Sequence, residues 1–341
     1  RPQFTAVRTK FRRTSSPRRS WASSGRAVVE RVPQIDFAPF LSGEPNGKDR
    51  VARDIGAACE GIGFFYLTGH GIPVEMTDGI FSAARQFFTL PVERKTDPDL
   101  LISREHSRGY QPLGTRYYEK TSAPDLMEAF KYQRELPADD PDILAGDRIQ
   151  QANKWPANLP GWRERLLAYF DAIDGVSANL LRAFALALDL EEDYFLGFYL
   201  KPMTQVSLLH YPPQPPAPDA FGNRPHLDET AFTIVLQEDV AGLEVKTASG
   251  NWVGVPPIQG SFVVNIGDYM ARWTNDRFRS TMHRVVNRTG AKRYSIPYFA
   301  IPDFDAVIEC LPTCVGPESP VKYEPLHVGR SIQRKFSSDY V

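Results

Sequence analysis

Apolar residues recur with two different periods along this chain, and the period changes after Pro202. Over 49–59, 76–90 and 162–188 they return every three to four positions, which predicts helices. The longest of these carries Leu166, Leu167, Phe170 and Ile173, then Leu180, Phe184 and Leu188. Short apolar runs at 32–37 and 63–67 predict early strands, the second closed by Gly69-His70-Gly71. Residues 103–124 are polar and punctuated by Gly and Pro, which predicts a loop or hairpin beside a pocket. Past Pro202 the pattern shortens to strand-length runs at 205–211, 231–237, 243–246, 262–265, 283–287 and 294–299. Runs of that length, separated by Gly, Pro and Asn-Asp turns, predict an antiparallel sandwich or barrel. No linker or internal repeat divides the chain. The expectation is one α+β domain over 32–341, mainly β with flanking helices. It has a helical part at about 32–200, a strand core at about 201–300 and a C-terminal segment, 301–341.

Composition narrows the partners. The chain has 341 residues, 42 % of them hydrophobic, enough for a sizeable core. No run of 18 apolar residues occurs, so no membrane span is expected. Cys59, Cys310 and Cys314 form no framework, which suggests a reducing compartment, taken as the cytoplasm. Cys310 and Cys314 have no neighbouring His or Cys to complete a zinc set. The net charge of −1 hides an asymmetry. Residues 1–26 hold eight Arg or Lys and no acid, so removing them leaves 32 basic against 41 acidic residues, or −9. An acidic body argues against nucleic acid as a partner. The Arg- and Ser-rich stretch has the composition of an organellar transit peptide. A disordered extension or a mistaken gene start are the plainer readings. In each case residues 1–31 lie outside the fold.

The chemistry is concentrated in His226-Leu227-Asp228 and His283. Two imidazoles and a carboxylate are the facial triad that holds non-haem Fe(II) and leaves positions open for oxygen chemistry. Strand alternation would put His226 and Asp228 on one face. Ten residues after His283 comes Arg293-Tyr294-Ser295-Ile296-Pro297-Tyr298-Phe299, whose alternation groups Arg293, Ser295 and Phe299. An Arg fork beside a hydroxyl suits a carboxylate, and Tyr211 on another strand could donate a third hydrogen bond. A triad beside such a clamp meets the needs of 2-oxoglutarate, whose keto-acid end chelates iron and whose far carboxylate needs an anchor.

These motifs resemble the isopenicillin N synthase-like branch of the Fe(II)/2-oxoglutarate-dependent dioxygenases. The likeness runs from about residue 32 to 340. It includes Gly69-His70-Gly71-Ile72-Pro73, His210-Tyr211-Pro212-Pro213, Asn265-Ile266-Gly267-Asp268, His283-Arg284-Val285-Val286 and Arg293-Tyr294-Ser295-Ile296-Pro297. Residues 271–276, 280–283 and 322–325 resemble a fungal and bacterial subgroup that includes thymine dioxygenase. The resemblance implies a double-stranded β-helix, or jelly-roll, core. It implies Fe(II) on His226, Asp228 and His283, with 2-oxoglutarate on Arg293, Ser295 and Tyr211. It further implies O2 as the oxidant and hydroxylation of a small molecule of secondary metabolism with release of succinate and CO2, and a monomer is expected. One departure is Leu209, where many plant members have Asn. Oxidation without 2-oxoglutarate, desaturation, ring closure or ring expansion, and a non-enzymatic relative remain as alternatives. Tyr110 and Phe299 are candidates for the substrate wall, and Phe130 and Lys131 are weaker ones. His70, His106, His210 and His327 are set aside as ligands, and Asp268 is read as a turn residue.

Overall fold

The computed structural model describes residues 31–103, 106–115, 124–144, 151–213 and 220–339, and the expectations placed on 1–26 lie outside these. In chain order the main strands are β1 (Gln34–Asp36), β2 (Phe64–Thr68), β3 (Gly109–Gln111), β4 (Glu128–Gln133), β5 (Gln205–Tyr211) and β6 (Asn223–His226). Next come β7 (Phe232–Gln237), β8 (Leu243–Lys246), β9 (Trp252–Gly254), β10 (Phe262–Ile266), β11 (His283–Val285) and β12 (Arg293–Ala300). The large sheet has the order β1-β2-β10-β7-β12-β5-β4-β3, and the small sheet β6-β11-β8-β9. All neighbours are antiparallel except β1 and β2. The two sheets face each other as the jelly roll expected from the sequence.

Side chains of the large sheet alternate between two cores. Tyr132, Leu208, Ile234, Val264, Ile296 and Tyr298 point outward into one hydrophobic cluster. The helices Gly47–Gly61, Val74–Phe88 and Trp162–Ala187 cover it. The fit is tight and locally satisfied. Tyr132 donates to the Leu166 carbonyl at 3.1 Å, Trp162 donates to the Ala83 carbonyl at 2.9 Å, and Phe184 meets Phe232 edge-on at 5.2 Å. The inner face sends Phe64, Tyr66, Leu209 and Val263 against Leu243, Val245 and Val285 of the small sheet.

Two features depart from the sequence reading. The first half is not only a helical layer: β1 to β4 all join the large sheet. The sequence pattern does not mark β4 or β9, and it reaches β6 only through His226, whose strand is expected to run on to Asp228. Of the expected loop at 103–124, the described part includes β3, paired with β4.

Candidate active site

Strand pairing brings the imidazoles together. β6 and β11 pair with His226 opposite His283, and the ring centroids lie 4.2 Å apart. Phe64 packs edge-on against the His283 ring at 5.5 Å. Asp228 joins them by a different route from the one expected. β6 ends at His226, so Asp228 stands beyond the strand rather than two places along it. Its backbone carbonyl accepts the Asp268 N–H at 2.8 Å. Its Oδ2 accepts from Thr233 Oγ1 at 2.6 Å and Asn265 Nδ2 at 2.8 Å. That leaves Oδ1 turned toward Nε2 of His226 at 3.5 Å and Nε2 of His283 at 3.6 Å.

The same geometry sets the protonation of the ligands. His226 Nδ1 lies 2.7 Å from the Arg224 carbonyl, and His283 Nδ1 lies 3.1 Å from the Thr281 carbonyl. A carbonyl accepts only, so each Nδ1 bears the hydrogen and each Nε2 keeps its lone pair for a metal. Burial alone would raise the Asp228 carboxyl. When the His283 and His226 rings carry a second proton in the absence of metal, they and the Thr233 hydroxyl outweigh it and hold Asp228 well below the usual carboxylate range, and a bound cation would take the place of those protons. One ligand atom from each of the three lies within 4.8 Å of the others. Two neutral imidazoles and one ionised carboxylate so placed fit Fe(II). Gly267 is required here: a Cβ would meet the Thr230 carbonyl oxygen at 2.3 Å and the Asp228 carbonyl oxygen at 2.8 Å.

Arg293 is the second centre. It is 1 % exposed, on β12 opposite Tyr211 of β5. Its Nη1 donates to Ser295 Oγ at 3.2 Å, its Nη2 to Gln237 Oε1 at 3.0 Å and its Nε to the Val240 carbonyl at 3.2 Å. The guanidinium lies over the Tyr211 ring at 4.9 Å. Burial lowers its pKa, and Tyr211 opposes that shift. No carboxylate pairs with it among the described residues. A buried cation held only by neutral groups is a place for an anion.

Triad and clamp open on one cavity of about 220 Å³, which Phe299 and Leu209 also line. Tyr110 does not reach it. Alternation turns its side chain to the outer face of the sheet, where the hydroxyl donates to Glu128 Oε2 at 2.5 Å and the ring packs on Phe87. Tyr110 is therefore a core residue and not a substrate wall. Phe130 is likewise core, whereas Lys131 lines the cavity.

The histidines set aside have other roles. His70 is buried, with Nδ1 accepting the Ile72 N–H and Nε2 against the Gly260 carbonyl. His210 faces Glu128, its Nδ1 2.7 Å from Oε1, and stacks on Tyr294. His327 lies 3.7 Å from Asp305. His106 is half-buried rather than a plain surface residue. Burial, with Lys154 and Arg108 nearby, pushes its pKa down to about 4. The sequence reading gave no role to Thr233, Asn265 or Gln237. Asn265 sits in a motif quoted for its resemblance, but the hydrogen bond it makes runs across strands and leaves no mark in local spacing.

Known proteins point the same way. A family model described as the 2OG-Fe(II) oxygenase superfamily matches residues 203–302. A second, the N-terminal part of non-haem dioxygenases in morphine synthesis, matches 32–158. The 2-oxoglutarate-Fe(II) type oxidoreductase hxnY of Emericella nidulans is 36 % identical, with 90 % of each chain covered. This chain belongs to the 2OG-Fe(II) oxygenase superfamily. The oxygenase is also 36 % identical to the 2-oxoglutarate-dependent dioxygenase citB of Monascus ruber, over 79 % of its own length and 84 % of the relative's. Among solved structures it resembles the Neurospora crassa thymine-7-hydroxylase in complex with α-ketoglutarate and thymine. The identity there is 29 % and the TM-score 0.80, with 90 % and 96 % of the two chains covered. Fe(II) and 2-oxoglutarate are thus the cofactor and cosubstrate of this oxygenase, and its reaction is oxidation of a small molecule.

Proposed function

We propose that this oxygenase hydroxylates a small organic molecule at iron held by His226, Asp228 and His283, with 2-oxoglutarate anchored by Arg293, Ser295 and Tyr211. The observation that carries the reading is the buried Arg293, unmatched by any described carboxylate, in the same cavity as the triad. With Fe(II) and 2-oxoglutarate bound, the site supplies O2 activation coupled to decarboxylation of 2-oxoglutarate to succinate and CO2. The chain's own residues do the positioning. Thr233 and Asn265 fix one oxygen of Asp228, and the Arg224 and Thr281 carbonyls fix the ring tautomers. Arg293 and Ser295 orient the cosubstrate along β12, and Phe299 forms part of the substrate wall near the triad. The apolar lining excludes water from the reacting centre.

Three free thiols fit a reducing compartment, and we take the cytoplasm as the place of action and a monomer as the working unit. Among the described residues no helix is long and apolar enough to cross a membrane. The test is substrate-dependent succinate release, expected in step with product. Oxidised substrate without succinate would turn the reading to an oxidase whose Arg293 clamp holds a substrate carboxylate.

A further inference from the structure

Several polar side chains that line the cavity are matched within the protein. Thr233 and Asn265 donate to Asp228, Ser295 accepts from Arg293, and Gln205 donates to Ser207 at 3.2 Å. Gln111 differs. It lines the same cavity and is 3 % exposed, yet its Oε1 has no hydrogen-bond partner.

Strand register explains why the fold leaves this oxygen alone. Gln111 is the last residue of β3, and β3 is the last strand of the large sheet. Its cross-strand partner is Ala129 on β4, whose own partner on β5 is Leu209. The residue two places back on β3, on the same face, is Gly109. None of these three has a side-chain donor. Lys131, on the diagonal across β4, has an interaction of its own. A buried amide oxygen left unpaired is uncommon in a folded protein and costs stability, because its hydration is lost and nothing replaces it. The missing donor has to come from outside the chain.

That donor is not the cosubstrate. Along the same row Leu209 pairs with Ser295 of β12, so three strand spacings, about 14 Å, separate Gln111 from the proposed anchor. With β12 and the triad taken by 2-oxoglutarate and iron, the β3 edge of the cavity is left to the substrate. Met127, Leu209, Leu243 and Phe299 also line the cavity and suit an apolar frame.

We propose that Gln111 determines substrate specificity: its Oε1 accepts a hydrogen bond from an N–H or O–H carried on an apolar frame, as in a lactam, an indole or a phenol. The assignment rests on the proposed function, which gives β12 and the triad to the cosubstrate and the metal.

Two measurements test it, and the first needs no ligand. Gln111→Met or Gln111→Leu removes the unpaired oxygen, so at least one of them should raise the urea midpoint of the ligand-free protein. If both were less stable than the parent, the amide would be satisfied inside the fold and the proposal would fall. In the second, the full chain is loaded anaerobically with Mn(II) and 2-oxoglutarate. It is then titrated calorimetrically with 2-pyridone, indole and phenol, each paired with its N- or O-methyl derivative. The N–H and O–H members identify the donor. At least one of them should bind about tenfold more tightly than its methylated partner. Gln111→Met should erase that ratio, and Gln111→Glu, which keeps an acceptor in place, should preserve it. Affinity for 2-oxoglutarate should be alike in all three proteins. A panel in which no donor outbinds its methylated partner, or a ratio that survives Gln111→Met, would overturn the proposal. So would a ratio lost in Gln111→Glu, because the amide nitrogen would then be the group in use. If Mn(II) and 2-oxoglutarate do not bind while a Gln111-dependent donor preference remains, the proposed function fails and the Gln111 contact stands.

Discussion

The two faces of the large sheet treat buried charge in opposite ways. On the outer face, Glu128 is enclosed by Lys95 at 2.7 Å, Tyr110 at 2.5 Å and His210 at 2.7 Å, so its oxygens are matched inside the protein. On the inner face, Arg293 is just as buried but meets neutral partners, and the three ligand atoms of the triad converge on a common point. One face spends its polar groups on itself, and the other holds them ready for ligands. Closed networks stabilise a fold, whereas open ones are the places where binding is organised.

Breaking the inner face should abolish function without unfolding the protein. His226→Ala is expected to lose Fe(II) binding and bring succinate release below detection, while the metal-free variant still unfolds cooperatively. Metal analysis and calorimetry check both halves.

Breaking the outer face should do the reverse. Phe184→Ala, between the long helix and Phe232, is expected to cost about 3–5 kcal/mol in urea unfolding. Fe(II) affinity of the folded fraction should stay near that of the parent.

Glu128→Gln sharpens the contrast, because it removes a charge from a closed network. Leaving Lys95 buried without its partner should cost about 3 kcal/mol at neutral pH. Burial raises the Glu128 carboxyl, but His210, Lys95 and Tyr110 together hold it below its ordinary value. The folded protein thus binds this proton less readily than the unfolded chain. The stabilisation is complete above about 4.3, the ordinary carboxyl value, and is lost as pH falls through the lower folded value. The gap in urea midpoint between parent and variant should therefore narrow in acid.

The smallest effect is expected at Thr233→Val, which keeps the shape and removes one donor from Asp228 Oδ2. Fe(II) should bind roughly 10- to 100-fold more weakly, about 1.4–2.8 kcal/mol. Thr233→Ser should restore most of that affinity. Equal affinity in all three would remove Thr233 from the support of the metal site.

The same division explains what was legible in the sequence. Strands β5, β7, β8, β10 and β12 were readable because one face of each is apolar and their turns are marked by Gly, Pro and Asn. β4 was not: Glu128 points to the outer core and Lys131 into the cavity, so charge falls on both faces and alternation is blurred. β6 is short, polar and contains Pro225, which an edge strand tolerates and a sequence pattern reads as loop. The grouping of His226 with Asp228, and of His283 with Arg293 and Ser295, was visible because those spacings are local to two segments, while Tyr211 comes from a third. Their supports were not, since Thr233, Asn265 and Gln237 act through cross-strand register.

Alternation along β12 also makes that strand a reading frame. Arg293, Ser295 and Phe299 face the cavity while Tyr294, Ile296 and Tyr298 face the helices. Deleting a single residue between β11 and Arg293, with strand pairing kept, would exchange the two sets. The guanidinium would be driven into the helical layer and three bulky side chains into the reaction chamber. Tolerance to such a deletion should therefore be far lower here than to most single substitutions in the same segment, which gives deletion scanning a way to locate the partition between chemistry and scaffold.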